Sequence, residues 1–175
     1  DALYHEALLN LGDDFTEGAV GAGCGTVCHG YKGGIGSSSR KITLDGKEYT
    51  IGVILNSNFG TDGGMDFVFN NRHLSPIKSS EDFVEKGSII VALATDIPLN
   101  ERQLKRLLRR IEIGIGRTGS YAGNCSGDVF VGFSTKNRRP QFSKEYLTTC
   151  EYVSENVASS FLGLSINSFA LMVIS

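Results

Sequence analysis

Residues 88–95 read Ser-Ile-Ile-Val-Ala-Leu-Ala-Thr, flanked by Glu85-Lys86-Gly87 and Asp96. An apolar run of this length between polar boundaries predicts a buried strand, and whatever else the chain does must cover it. Asp96 to Pro98 leads into a stretch, residues 100–116, where Leu104, Leu107, Leu108, Ile111 and Ile115 recur at helical spacing. That spacing predicts an amphipathic helix able to cover such a strand. Its other face carries Arg102, Lys105, Arg106, Arg109 and Arg110, which reads as a solvated face and not as a nucleic-acid surface. Residues 128–134 predict a further strand, with Val129, Val131 and Phe133 on one side.

Upstream, residues 41–44, Asp45-Gly46 and residues 48–55 form a hairpin signature, because Asp-Gly supplies the positive φ angles of a tight turn. Tyr49, Ile51, Val53 and Leu55 alternate along one face of its second strand. Before the hairpin lies a glycine cluster, with eight of the chain's 22 glycines between Gly18 and Gly36. So many glycines predict unusual backbone angles or close backbone approach, not a helix. The cluster contains neither G-x-G-x-x-G nor G-x-x-x-x-G-K-[ST], so it gives nucleotide binding no support. Residues 1–11 predict a short helix with Leu3, Ala7, Leu8 and Leu11 on one face. Residues 61–87 predict an irregular connection, and the chain from Ser143 onward a third helix, with Ser143 and Glu145 near its start.

The 175 residues suffice for one domain, taken as 1–175, with a substantial core. A net charge of −2 offers no basic field for nucleic acid or an anionic membrane. The apolar runs are shorter than the ~20 residues of a spanning helix, and no secretory signal opens the sequence. Cys24, Cys28, Cys125 and Cys150 form no metal pattern beyond Cys24-x-x-x-Cys28-His29, which lacks a second Cys/His pair. Free thiols in a reducing, cytoplasmic setting, with no metal and no cofactor, are the expectation.

Four blocks then read together: GAVGAGCGTVCHGYKGGIGSSSR, TIGVILNSNFG, GSIIVALATDIPLNERQLKRLLRR and RTGSYAGNCSGDVFVGFST. In this order, over residues 18–135, they resemble the DmpA-like peptidases, the D-aminopeptidase and β-peptidyl aminopeptidase family. The resemblance implies an α/β fold (α+β), a four-layer α/β/β/α sandwich of the N-terminal-nucleophile type, present only in part in this chain. It implies a precursor that cuts itself between Gly87 and Ser88 and then releases N-terminal L-, D- or β-amino acids from short peptides, amides or esters. Homo-oligomers, a small peptide or amide substrate, and no nucleic-acid or membrane partner are also implied.

The chemistry suits these residues. A serine hydroxyl needs an adjacent base to attack a carbonyl. Once the preceding bond is cut, the α-amine of Ser88 itself, of pKa near ~7.7–8.0, is such a base. Being attached to the nucleophile, it costs little orientational entropy. Gly87 leaves the scissile carbonyl open. By the resemblance, Asn58 in Asn58-Phe59-Gly60 is a donor to the developing oxyanion, and Asn56, two residues earlier on the same strand face, is its substitute. Ser126, in Gly123-Asn124-Cys125-Ser126-Gly127-Asp128, is the serine that hydrogen-bonds the nucleophile. Asp128 stands where some members carry Glu, to orient Ser126 or hold the protonated amine. Gly33 and Gly34 are candidates for shaping the substrate pocket. His29 and His73 receive no catalytic role from the family, and His5 reads as a surface residue. The blander readings are a turn Asn at Asn58, a polar loop capping a strand at Ser126 and Asp128, and structural turns among the glycines. Two further alternatives are an acyltransferase on the ornithine acetyltransferase-like fold, which would use threonine where this chain has Ser88, and an inactive truncated relative.

Overall fold

The computed structural model describes residues 2–60, 68–69, 72–73, 87–121, 123–138, 141–142 and 147–155. Its centre is a four-stranded sheet of β3 (Gly34–Leu44), β4 (Lys47–Asn58), β7 (Ser88–Thr95) and β8 (Val129–Ser134), adjacent in that order. Strand β3 (Gly34–Leu44) and β4 (Lys47–Asn58) form the expected hairpin, longer at both ends than the sequence pattern indicates. Its turn has Asp45 at φ 49 and Gly46 at φ 74, the left-handed pair a two-residue hairpin requires. The buried run forms β7 (Ser88–Thr95), antiparallel to β4 and parallel to β8 (Val129–Ser134). A parallel neighbour needs a crossover, and helix α2 (Glu101–Gly116) supplies it. Helix α2 starts where Asn100 and Gln103 cap each other reciprocally, at 2.9 and 3.0 Å, satisfying two otherwise orphaned N–H groups.

Alternation fixes which face α2 covers. Ile51, Val53 and Leu55 of β4 and Ile89, Val91 and Leu93 of β7 turn to one side, where Leu107, Ile111 and Ile115 of α2 complete a buried cluster with Ile97, Leu99 and Phe59. Gly132 of β8 leaves room for Leu108, since a Cβ there would lie 2.9 Å from Leu108 Cδ2. The far end of β7 is tied to β4 through Thr50, whose N–H donates to Asp96 Oδ1 and whose carbonyl accepts from Thr95 Oγ1, at 2.6 and 2.7 Å.

The opposite face of the sheet is apolar yet open among the described residues. Ile90, Val131 and Phe133 are each more than half exposed. A cleft of about 400 Å³ lies over this face, lined by Phe15, Ile54, Ala92, Ala94 and Phe133 among others. Strand β7 is therefore buried on one side only. Of the four layers expected, the described residues supply one sheet and one helical layer.

The remaining elements are small. Helix α1 (Ala2–Leu9) forms as expected but buries no residue, and Leu3 and Leu8 of its apolar face are exposed. The glycine cluster holds a 3₁₀ turn at Gly21–Gly23 and a short ladder of β1 (Val27–Cys28) with β2 (Tyr31–Lys32). Within the expected irregular connection, β5 (Val68–Phe69) pairs with β6 (Arg72–His73). Of the helix expected from Ser143 onward, residues 143–146 lie outside the described residues, residues 147–154 have no regular structure, and Glu155 is helical. Residues 153–155 lie against α2 and the turn before it: Val153 N–H donates to the Pro98 carbonyl, Gln103 Nε2 donates to the Val153 carbonyl at 2.7 Å, and Glu155 accepts from Arg102 and Arg106 at 2.6 and 2.9 Å.

Leu107 is fully buried at the centre of the helix–sheet contact. Leu107→Ala leaves a cavity there and is expected to lower unfolding free energy by about 2–5 kcal/mol, read as a lower urea midpoint at unchanged slope. A value within about 0.5 kcal/mol of the unsubstituted protein would contradict the packing described.

Candidate active site

The antiparallel register of β4 and β7 sets Asn58 directly opposite Ser88. Both belong to the residues facing away from α2, in step with exposed Ile54 and Ile90. Each is therefore half-buried at the end of a central strand and not sealed in the core. Phe59, fully buried, anchors the end of β4 just past Asn58, and its carbonyl accepts the His29 N–H at 3.0 Å.

Asn58 is oriented by a backbone donor. Val27 N–H donates to its Oδ1 at 3.1 Å. A donor must face the oxygen, which leaves Nδ2 on the Gly87 side, 3.1 Å from where a Cβ on Gly87 would stand. Gly87 itself has φ +118 and packs so tightly that this Cβ would lie 2.1 Å from the Asn58 carbonyl oxygen. Only glycine meets both conditions.

The third part of the site is the turn entering β8. Gly127 N–H donates to Ser88 Oγ at 2.8 Å. Ser126 donates its hydroxyl to Asp128 Oδ1 at 2.5 Å, and the same oxygen accepts the Ile89 N–H at 3.1 Å. The turn thus grips residues 88 and 89 at two points. The Asp128 carboxylate thus bonds both the Ser126 hydroxyl and the second residue of β7. In this structure the group bonded to Ser88 Oγ is Gly127 N–H and not the Ser126 hydroxyl. The bonds from Val27 and Gly127 are backbone donors without a side-chain signature, which is why residue patterns miss them.

Other candidates are placed differently. Asn56 lies on the Asn58 face, two residues along the strand, and its Nδ2 donates to the Ala22 carbonyl at 3.3 Å while Oδ1 is buried with no partner found. Gly33 and Gly34 are buried against the chain's own backbone: a Cβ on either would lie 2.3 Å from a carbonyl oxygen, of Ser57 and Gly18 respectively. These contacts account for both glycines as packing. His29 is buried edge-on to Phe59, with ring centroids 5.2 Å apart, and Thr118 Oγ1 lies 3.4 Å from its Nε2. Gly60 makes room for that ring. His73 falls in β6, and His5 is exposed on α1. Cys24 and Cys125 are exposed and Cys28 is buried. Among the described residues, no three His, Cys, Asp or Glu side chains converge on a metal-sized site, and no helix is long and apolar enough to cross a membrane.

Comparison with known proteins follows this geometry. The sequence model of peptidase family S58 matches residues 2–172. The chain is 39% identical over 148 residues to the β-peptidyl aminopeptidase BapA of Sphingosinicella microcystinivorans, covering 71% of this chain and 35% of that protein. In structure it is similar to the PH0078 protein of Pyrococcus horikoshii OT3, with TM-score 0.85 and 38% identity over 97% of this chain and 46% of that one. It is also similar to the L-aminopeptidase D-Ala-esterase/amidase of Ochrobactrum anthropi, a protein with a variant of the Ntn-hydrolase fold. There the TM-score is 0.81 at 34% identity, over 98% of this chain and 47% of the other. The chain thus spans about a third of the curated relative and about half of each solved chain, and the fold it shares with them is the Ntn-hydrolase variant, in part.

Two outcomes test the geometry. Gly87→Ala forces the Asn58 carbonyl or the strand end to move and is expected to destabilise by about 1–3 kcal/mol; an unchanged denaturation midpoint would contradict the close approach. Burial pushes the Cys28 thiol up to about 12, against smaller opposing effects of its contacts with Phe59 and Ser57. The folded chain then keeps a proton that the unfolded chain loses from about pH 9. Its contribution to stability is complete below that pH and declines toward pH 12, by at most ~1.4 kcal/mol per pH unit. Thiol-specific reagent at pH 8 is expected to label Cys24 and Cys125 in the native protein and Cys28 only after denaturation.

Proposed function

The chain belongs to peptidase family S58, and on that premise we propose that it carries the nucleophile half of a self-processing serine aminopeptidase or amidase. Ser88 is the nucleophile and the Gly87–Ser88 bond the site of self-cleavage. The observation that carries this reading is the convergence of Asn58 and the 126–128 turn, two segments far apart in sequence, on the Gly87–Ser88 junction. After cleavage the Ser88 α-amine takes the hydroxyl proton as Oγ attacks the substrate carbonyl. Asn58 Nδ2 donates to the oxygen that gains charge. The substrate C–N bond then breaks, the leaving amine takes the proton from the ammonium, and water hydrolyses the acyl-serine ester.

Asp128, through Ser126 and the Ile89 N–H, holds the start of β7 against the turn while these bonds change. Gly33 and Gly34 support the segment that carries Val27 and thereby Asn58. Asn56, two residues before Asn58 on the same strand face and with an amide oxygen that has no partner, is a weaker candidate for meeting the substrate. The class of substrate proposed is a short peptide, amide or ester with a free N-terminal L-, D- or β-amino acid. The similarity to a β-peptidyl aminopeptidase and to an L-aminopeptidase D-Ala-esterase/amidase supports it. Serine in place of threonine at residue 88 disfavours the acyltransferase alternative.

In the full-length protein, Ser88→Ala is expected to abolish both scission, seen by mass spectrometry as one uncut chain, and turnover of L-, D- and β-alanyl p-nitroanilides. Scission elsewhere, or turnover retained, would overturn the assignment. The unsubstituted enzyme should show kcat/KM rising with pH through about 7.7–8.0, because the attacking residue needs its amine unprotonated.

A further inference from the structure

From the 2.8 Å bond between Gly127 N–H and Ser88 Oγ, we infer that the Gly127 backbone amide is a catalytic donor that stabilises negative charge on the serine oxygen itself, distinct from the donor serving the carbonyl oxygen. The inference rests on Ser88 being the nucleophile. The two donors lie on opposite neighbours of β7: Asn58 on β4, Gly127 at the entry to β8. One serves the substrate oxygen and the other the enzyme oxygen.

Charge develops on Oγ twice. In attack, the O–H bond breaks toward the α-amine while the new C–O bond forms. In deacylation, water adds to the acyl carbon while the neutral α-amine takes its proton, the C–Oγ bond breaks, its electron pair returns to Oγ, and Oγ takes that proton from the ammonium just formed. A preset N–H at hydrogen-bond distance stabilises the oxygen in both steps without reorganisation. It also occupies an Oγ lone pair, leaving the hydroxyl proton free to point at the base. The same bond exists with residue 87 still attached, so it would serve the self-cleavage step as well.

The grip is held in place by the turn. Ser126 N–H donates to the Gly123 carbonyl at 2.8 Å, and Asp128 fixes the other end on Ile89 N–H. The fold does not require glycine here: a Cβ on Gly127 would meet Ser88 Oγ at 3.5 Å, an ordinary contact, with no other atom outside the adjacent residues within 4 Å. What residue 127 supplies to Ser88 is its N–H, and removing that N–H alone is a separable change.

The test is an amide-to-ester exchange at residue 127, incorporating glycolic acid into the full-length protein, beside the same exchange at exposed Phe142 and beside Ser88→Ala. The ester at residue 127 is expected to lower kcat on alanyl p-nitroanilide on the order of 10- to 100-fold, as for loss of a hydrogen bond to a charged group. The pH midpoint of kcat/KM should stay in place, and the ester at residue 142 should leave the rate of the unsubstituted enzyme. A residue-127 ester at full rate, or no slower than the residue-142 ester, overturns the inference and leaves Ser88 as nucleophile. Turnover by Ser88→Ala overturns the underlying function instead. A second measurement needs no ester: the Gly127 amide proton should resonate downfield and exchange more slowly than in Ser88→Ala, and identical resonances would also overturn the inference.

Discussion

The antiparallel pairing of β4 with β7 is the constraint on which the candidate site depends. Side chains alternate along a strand, so a one-residue slip would turn every side chain to the other face. Here slippage is opposed by two apolar rows at once, Ile51, Val53 and Leu55 against Val91, Leu93 and Ile89, all pressed on α2. The register that satisfies those rows also brings Asn58 to Ser88. The site is thus set by the core without being inside it: the residues that define the register point toward the helix, and those of the site point away.

That arrangement makes the site a strand-end construction in the middle of the sheet, completed by backbone groups. Val27 N–H orients Asn58, Gly127 N–H meets Ser88 Oγ, and Ile89 N–H shares the Asp128 carboxylate with Ser126. Backbone donors are fixed by the fold and carry no side-chain entropy to lose, so they present a preset geometry. The glycines of the region work to the same end. Gly87 permits the chain to pass against the Asn58 carbonyl, and Gly60 admits the His29 ring beside Phe59.

Much of this was readable from residues alone where pattern and physics coincide. The Asp45-Gly46 turn, the α2 stripe and the β7 run each carry a local signal strong enough to stand without context. The exposure of one face of β7 was not readable, because Ser-Ile-Ile-Val-Ala-Leu-Ala-Thr is as apolar at Ile90 as at Ile89, and only the neighbouring layers separate them. The segment after Ser143 misled for a related reason. Where it is described, it follows α2 through Gln103, Arg102 and Arg106 contacts instead of its own local preference. Gly33 and Gly34 looked available to a substrate because a glycine's neighbours are invisible in sequence; in space those neighbours are the chain's own carbonyls.

The sequence by itself determined the central hairpin, β7, α2 and β8, the serine at the head of β7 and, through four ordered blocks, the family. These follow from local propensity, apolar period and residue identity, all properties of contiguous segments. Tertiary structure decided which groups meet Ser88: a glycine amide and not the adjacent serine hydroxyl, and an asparagine turned by a distant valine N–H. The reason is that hydrogen bonds across strands depend on register and on the path of the backbone, and both are fixed only when separate segments bury their apolar faces together.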